Sequence, residues 1–194
     1  MTQHMPEISE DELVRRIVAG EKQLFAIIVD RYKNKVFGLL RGMGASHQDA
    51  QDLAQDVFIR VYRYLATRRE GSSFSAWIYT IAVNRMRDFM RQQKPVMGAD
   101  TLELVEAAEE GTPEKTVLQQ EMKREIVQQL DRLPEAYRLV LLLKYTNELS
   151  YEEIARITGM NQLQVRNALY RGKKALRKQM DRKGGLSIYE AYSK

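Results

Sequence analysis

The chain contains no cysteine, which excludes disulfides, thiolate metal ligands and thiol nucleophiles. Its two histidines, His4 and His47, are isolated, so no metal-ligand spacing is present and no metal or cofactor is expected. Four prolines and eleven glycines in 194 residues argue against a loop-built protein. No window approaches the roughly 18 consecutive apolar residues of a membrane span. The first dozen residues are polar and acidic, with no apolar signal core. Membrane insertion is therefore not expected, and a reducing cytoplasm suits the composition. A glycine-rich phosphate loop and a Ser/His/Asp arrangement are both missing, so no catalytic residue is assigned and the chain is not read as an enzyme.

What is present is charge and helical periodicity. The composition is 44% hydrophobic and 29% charged, with a net charge of +5. Residues 1–94 carry 15 Lys and Arg against 11 Asp and Glu, residues 95–115 carry 1 against 6, and residues 116–194 carry 15 against 9. Two basic blocks thus flank an acidic connector, a pattern that suggests a polyanion partner.

Apolar residues recur at three- and four-residue spacing almost throughout. Ser9-Glu10-Asp11-Glu12 reads as a capping box opening a helix with Leu13, Ile17 and Val18 on one face, stopped near Gly20. A second helix carries Phe25, Ile28, Val29, Tyr32, Val36, Leu39 and Leu40. A third carries Ala50, Leu53, Val57, Phe58, Val61, Tyr62 and Leu65. A polar loop follows, and Phe74, Trp77, Ile78, Ile81, Met86, Phe89 and Met90 mark a fourth helix ended by Pro95. Residues 95–115 read as a linker. Beyond it, Leu118, Met122, Ile126 and Leu130 define one helix, and Tyr137, Val140, Leu141 and Tyr145 the inner face of the next. The fold class is all-α: two small helical domains, residues 1–94 and 116–182, joined by a flexible acidic linker and followed by a tail, 183–194.

The most specific local motif is a helix-turn-helix between Tyr151 and Tyr170. Ser150-Tyr151-Glu152-Glu153 is a second capping box. Ala155 marks the helix crossing, Gly159 supplies a turn that favours left-handed backbone, and Val165 faces inward on the second helix with Ile154, Met160 and Leu169. That second helix is loaded with donors. Gln162, Gln164, Arg166 and Asn167 suit base edges in the major groove. Arg171, Lys173 and Lys174, with Arg177 and Lys178, suit phosphates, which position without specifying sequence. An ordinary helical hairpin is the alternative reading.

Here the chain resembles the extracytoplasmic-function (ECF) sigma factors of bacterial RNA polymerase, in three segments in order. Leu149-Ser150-Tyr151-Glu152-Glu153-Ile154-Ala155, after Leu133-Pro134, is similar to the family's C-terminal DNA-binding domain. Asp49-Ala50-Gln51-Asp52-Leu53-Ala54-Gln55-Asp56-Val57-Phe58 resembles its polymerase-binding helix. Phe74-Ser75-Ala76-Trp77-Ile78-Tyr79-Thr80-Ile81-Ala82-Val83-Asn84 resembles its promoter-melting helix. One departure is Ala168, which stands where arginine is common in the family.

The resemblance implies a sigma factor that binds core RNA polymerase and directs it to promoters. It implies that Asp49, Asp52, Gln55 and Asp56 face the polymerase; an acidic first helical turn favoured by the helix dipole is the alternative. It places Asn84 and Arg85 at minus-ten promoter DNA, with Trp77 either in the core or against a base. The loop residues Arg68, Arg69, Ser72 and Ser73 would frame a pocket for a flipped base, or form a solvent turn capped by Ser73. The second helix of the helix-turn-helix would read the minus-thirty-five element. The resemblance further implies an anti-sigma factor as a partner and a monomer when free. A free-standing helix-turn-helix repressor, or a helical adaptor that binds only protein, explains fewer of these features.

Overall fold

The computed structural model describes residues 8–69, 72–93 and 128–181, and no strand occurs among them. The expected linker, the helix positions Leu118, Met122 and Ile126, and the tail lie outside the described residues. The chain divides into two compact units, Met1–Leu40 with Gln48–Val96 and Arg41–His47 with Met97–Lys194.

Among the described residues, the first unit is built on four α-helices. α1 (Glu10–Val18) starts at Ser9, whose hydroxyl accepts the Glu12 N–H at 3.3 Å. The reciprocal half of the predicted capping box does not form, because the Glu12 carboxylate pairs instead with Arg15 one turn on, at 2.6 Å. Gly20, at φ +119°, carries the chain out of the helix in a conformation that side-chain-bearing residues rarely adopt. A 3-10 turn, Lys22–Leu24, leads into α2 (Phe25–Gly42). α3 (His47–Tyr64) follows, and α4 (Phe74–Gln93) begins where the Ser73 hydroxyl accepts the Ala76 N–H at 3.2 Å.

Leu13, Ile28, Val36, Leu39, Val57, Phe74 and Ile78 are buried, each at a position the three- and four-residue spacing predicts. Each such side chain contributes about 1.5–3 kcal/mol relative to leaving it in water. Tyr32 joins three helices: its ring meets Phe74 edge-on at 5.5 Å and Tyr79 at 6.1 Å, and its hydroxyl donates to the Glu10 carboxylate. Burial, and then that carboxylate, push the phenol far above its ordinary pKa, so it stays a donor. Two predicted inward residues are exposed. Val18 is the last residue of α1, where the helix has run past the core. Tyr62 packs its ring on Phe25 at 5.0 Å but leaves the rest in solvent.

In the second unit residues 128–131 are helical. α5 (Glu135–Leu141) opens after Pro134 and widens into a π turn, Leu142–Thr146. α6 (Tyr151–Thr158) and α7 (Gln162–Asp181) complete the unit. Val140, Leu143, Ile154, Val165 and Leu169 form its core. Gly172 has a packing reason: an added Cβ would lie 3.1 Å from Leu141 Cδ1 and 3.3 Å from Tyr137 Cβ, so the absent side chain lets α7 approach α5. Tyr145, predicted inward, is 47% exposed. It lies in the π turn, where the wider winding breaks the regular helical spacing on which the prediction rested.

Candidate nucleic-acid interface

The helix-turn-helix forms from local signals. Ser150 and Glu153 close a full capping box, the hydroxyl accepting the Glu153 N–H at 3.2 Å and the carboxylate accepting the Ser150 N–H at 2.8 Å. α6 stops at Gly159, whose φ of +76° is left-handed. No atom lies within 4 Å of a Cβ built there, so the backbone angle, not crowding, calls for glycine. α7 then starts with a second reciprocal cap that sequence reading missed. The Asn161 side chain accepts the Gln164 N–H at 2.8 Å, and the Gln164 side-chain oxygen accepts the Asn161 N–H at 2.8 Å. The signal was present as Asn followed three residues later by Gln at a helix start. The Gln164 side-chain oxygen, expected at a base edge, is thus engaged in the cap, while the side chain as a whole is exposed at the start of the helix.

Val165, Ala168, Leu169 and Gly172 turn inward on α7, while Gln162, Leu163, Arg166, Asn167, Tyr170, Arg171, Lys173 and Lys174 are exposed. Ala168 is 6% exposed, so an arginine there would have to thread its stem out of the core. The Lys173 ammonium lies 4.8 Å from the Tyr145 ring centroid, a cation–π contact that holds the lysine beside the helix. Leu163 and Tyr170 were not among the predicted site residues. The signal that finds them is their place on the face opposite Val165 and Leu169.

In the first unit, Asp52 and Gln55 are exposed on α3 and Asp49 is half-buried. Asp56 is tied down: one carboxylate oxygen accepts Arg60 Nε at 3.1 Å and also Arg85 Nε from α4. Burial works to raise the Asp56 pKa, but the hydrogen bonds from Arg85 and Arg60 outweigh it and hold the carboxyl below its usual range. Arg85, expected at promoter DNA, is therefore drawn to Asp56 and links α4 to α3.

Arg68, expected to hold a phosphate, is likewise turned inward. Its side chain is only 3% exposed, pairs with Asp11 at 2.8 Å and donates to the Ser72 carbonyl. Its guanidinium also lies 5.4 Å from the Phe74 ring centroid. Arg69 is exposed, and the Ser72 hydroxyl donates to its carbonyl at 2.8 Å. Ser73 serves as the cap of α4. Glu70 and Gly71 lie outside the described residues. Trp77 is half-buried, tilted against Phe74 at 5.7 Å, and Asn84, seven residues on along the same helical face, is exposed.

This arrangement is a helix-turn-helix with a donor-rich second helix, accompanied by a separate helical unit that has an acidic face. The Sigma-70 region 2 family matches residues 28–96, and the Sigma-70, region 4 family matches residues 123–176. The ECF RNA polymerase sigma factor SigW of Bacillus subtilis is 35% identical over 176 residues, 86% of this chain and 94% of that protein. The RNA polymerase sigma-H factor of Pseudomonas aeruginosa is 33% identical over 87% of this chain and 92% of its own length. The ECF RNA polymerase sigma-E factor of Escherichia coli K12 is 30% identical over 88% and 93%. The fold is shared with CnrH in complex with the cytosolic domain of CnrY, at TM-score 0.67 and 21% identity over 87% of this chain and 95% of that one. It is also shared with the sigma factor RpoE in complex with the anti-sigma factor NepR from Bartonella quintana, at 0.66 and 20% over 81% and 96%. The chain belongs to the ECF sigma factors. Its function is transcription initiation: it binds core RNA polymerase and directs it to specific promoters. Among the described residues no helix is long and apolar enough to cross a membrane.

Proposed function

We propose that the two units divide the work of initiation, with residues 1–94 engaging the polymerase and the minus-ten element and residues 116–182 the minus-thirty-five element. The observation that carries this reading is the outward face of α7, where Arg166, Asn167, Arg171 and Lys174 stand exposed on a helix braced at its start by the reciprocal Asn161–Gln164 cap. Such a helix enters the major groove with its first turns at the base edges and its later cations at phosphates. Asp52 and Gln55, exposed on α3, face the polymerase, an acidic surface that repels DNA and suits a basic protein partner. Arg69, Asn84 and the open side of Trp77 meet the minus-ten strand, while Arg68 and Arg85 hold that surface in shape.

The chain acts in the cytoplasm as a specificity subunit and carries out no catalysis of its own. An anti-sigma factor holds it inactive by covering these faces; the complex of RpoE with NepR supports that partner. The test is reconstitution of holoenzyme from the purified chain and core polymerase. Alone, the chain binds promoter DNA weakly and with steep salt dependence. With core, both units engage at once and selectivity rises through effective concentration. Tight, sequence-specific binding by the free chain at physiological salt would instead favour a free-standing repressor.

A further inference from the structure

Leu163 is the aliphatic member of a surface whose other exposed side chains are amides, cations and Tyr170. It is the second residue of α7 and 64% exposed. Arg166 and Asn167 follow at three- and four-residue spacing, so the three side chains share one edge at the start of the helix. A lone exposed leucine needs no explanation on most surfaces. Here its position gives it content. The neighbouring Gln164 carbonyl oxygen is engaged with Asn161, and Val165, Ala168 and Leu169 are committed to the core. The leading turn therefore offers an aliphatic side chain where a donor or acceptor would be expected. In the major groove the apolar group that side chains meet on a base edge is the C5-methyl of thymine.

We infer that Leu163 is a specificity-determining residue that packs against a thymine methyl group at the edge of the minus-thirty-five element, beside the base pairs met by Arg166 and Asn167. The inference rests on the reading of α7 given above and adds a ligand to it: a thymine, recognised by its methyl group and not by hydrogen bonding. Leu163→Ala shortens an exposed side chain and introduces a better helix former, so the fold is retained, as equal thermal unfolding of the two chains verifies.

The experiment uses holoenzyme assembled from the full chain and core polymerase. A preferred minus-thirty-five sequence is first selected from a randomised library, and each thymine in it is then replaced in turn by deoxyuridine, which lacks only the methyl group. The expected result is one position at which deoxyuridine weakens wild-type holoenzyme about fourfold, the worth of one buried methyl group. Leu163→Ala holoenzyme binds the thymine promoter weaker by a similar factor and is indifferent to deoxyuridine at that position. The inference is overturned if no thymine is methyl-sensitive, or if Leu163→Ala keeps the sensitivity, while wild-type selection still yields a defined element. Should wild-type holoenzyme select no minus-thirty-five sequence at all, the reading of α7 falls first and the assignment of Leu163 falls with it.

Discussion

The arginines of the first unit and those of α7 have opposite fates. Arg68 is buried against Asp11, the Ser72 carbonyl and the Phe74 ring, and Arg85 is bound to Asp56 across two helices. On α7, Arg166, Arg171 and Lys174 stand exposed, and that helix has no carboxylate before Asp181. Both blocks have a net positive charge by sequence, but α7 gathers six cations with no acid between them, more than any described helix of the first block. In the first, part of it is consumed in holding helices and a loop together. A count of cations therefore overstates the DNA-facing charge of the first unit, and its acidic α3 face matters more than its net charge suggests.

The largest effect is expected on removing Arg68. Arg68→Met keeps most of the apolar stem but deletes a nearly buried guanidinium, leaving the Ser72 carbonyl without that donor. Loss of a buried charged hydrogen-bonding group costs about 2–3 kcal/mol, and chemical denaturation of the full chain should show a loss of that size. Arg69→Ala, one residue away but exposed, should stay within about 0.5 kcal/mol of wild type. Its defect should appear in open-complex formation and be relieved on a promoter already melted at the minus-ten element. Equal stability of the two variants would mean that Arg68 is as dispensable to the fold as its neighbour.

On α7 the ordering should reverse, with little effect on stability and a large one on binding. Arg166→Ala or Asn167→Ala should cost about 1–3 kcal/mol at a single base position and relax preference there. Lys174→Ala should weaken binding evenly across sequences and lower the salt slope by about one. Selection from randomised minus-thirty-five libraries, with titrations at several salt concentrations, separates the two patterns. A uniform loss in all three variants would merge specifying and positioning residues into a single electrostatic surface.

The same contrast explains what could be read from the sequence. Ser150, Glu153 and Gly159 were legible because a cap or a left-handed turn is decided within four residues. The core positions Leu13, Ile28, Val57 and Ile154 were legible because periodicity reports which face is buried. Arg68 and Arg85 were not, since their partners lie 57 and 29 residues away and spacing along one helix carries no information about another. Tyr145 failed for a different reason, a change of helical winding that no local residue announces. The Asn161–Gln164 cap was passed over because two motifs, a donor facing DNA and a cap, draw on one side chain. The candidate residues on α7 are exposed, while those in the first unit divide between exposed positions, such as Asp52 and Asn84, and ones bound into the packing, such as Arg68.

A smaller effect tests the capping of α6, the helix that α7 packs against. Ser150→Ala removes the hydroxyl that accepts the Glu153 N–H, and an N-cap loss of this kind costs about 1 kcal/mol. The expected result is a lower unfolding midpoint for the chain with unchanged base preference in holoenzyme, because the caps set the rigidity of the helix pair and not the identity of its reading residues. A shift in the preferred minus-thirty-five sequence would mean that the cap also sets the angle at which α7 meets the groove.

The smallest expected effect lies at Asp56, where the two functions of the first unit meet. Its carboxyl titrates below the usual range because the bonds from Arg85 and Arg60 outweigh burial. The folded state therefore favours the ionised form, and the resulting stabilisation is complete above the ordinary carboxylate range and lost as pH falls through the lowered value. The pair is partly open to solvent, so about 0.5 kcal/mol at neutral pH is expected from comparing Asp56→Asn with wild type. That gap should close below about pH 4; a gap that widened on acidification would carry the wrong sign for this linkage. Core-polymerase affinity adds a second axis. If Asp56 serves only to hold α4 against α3, Asp56→Asn binds core as wild type does, while Asp52→Asn, on the exposed part of the same face, does not. If both variants lose core affinity together, the acidic face reaches past the ion pair, and Asp56 contacts the polymerase while it holds Arg85.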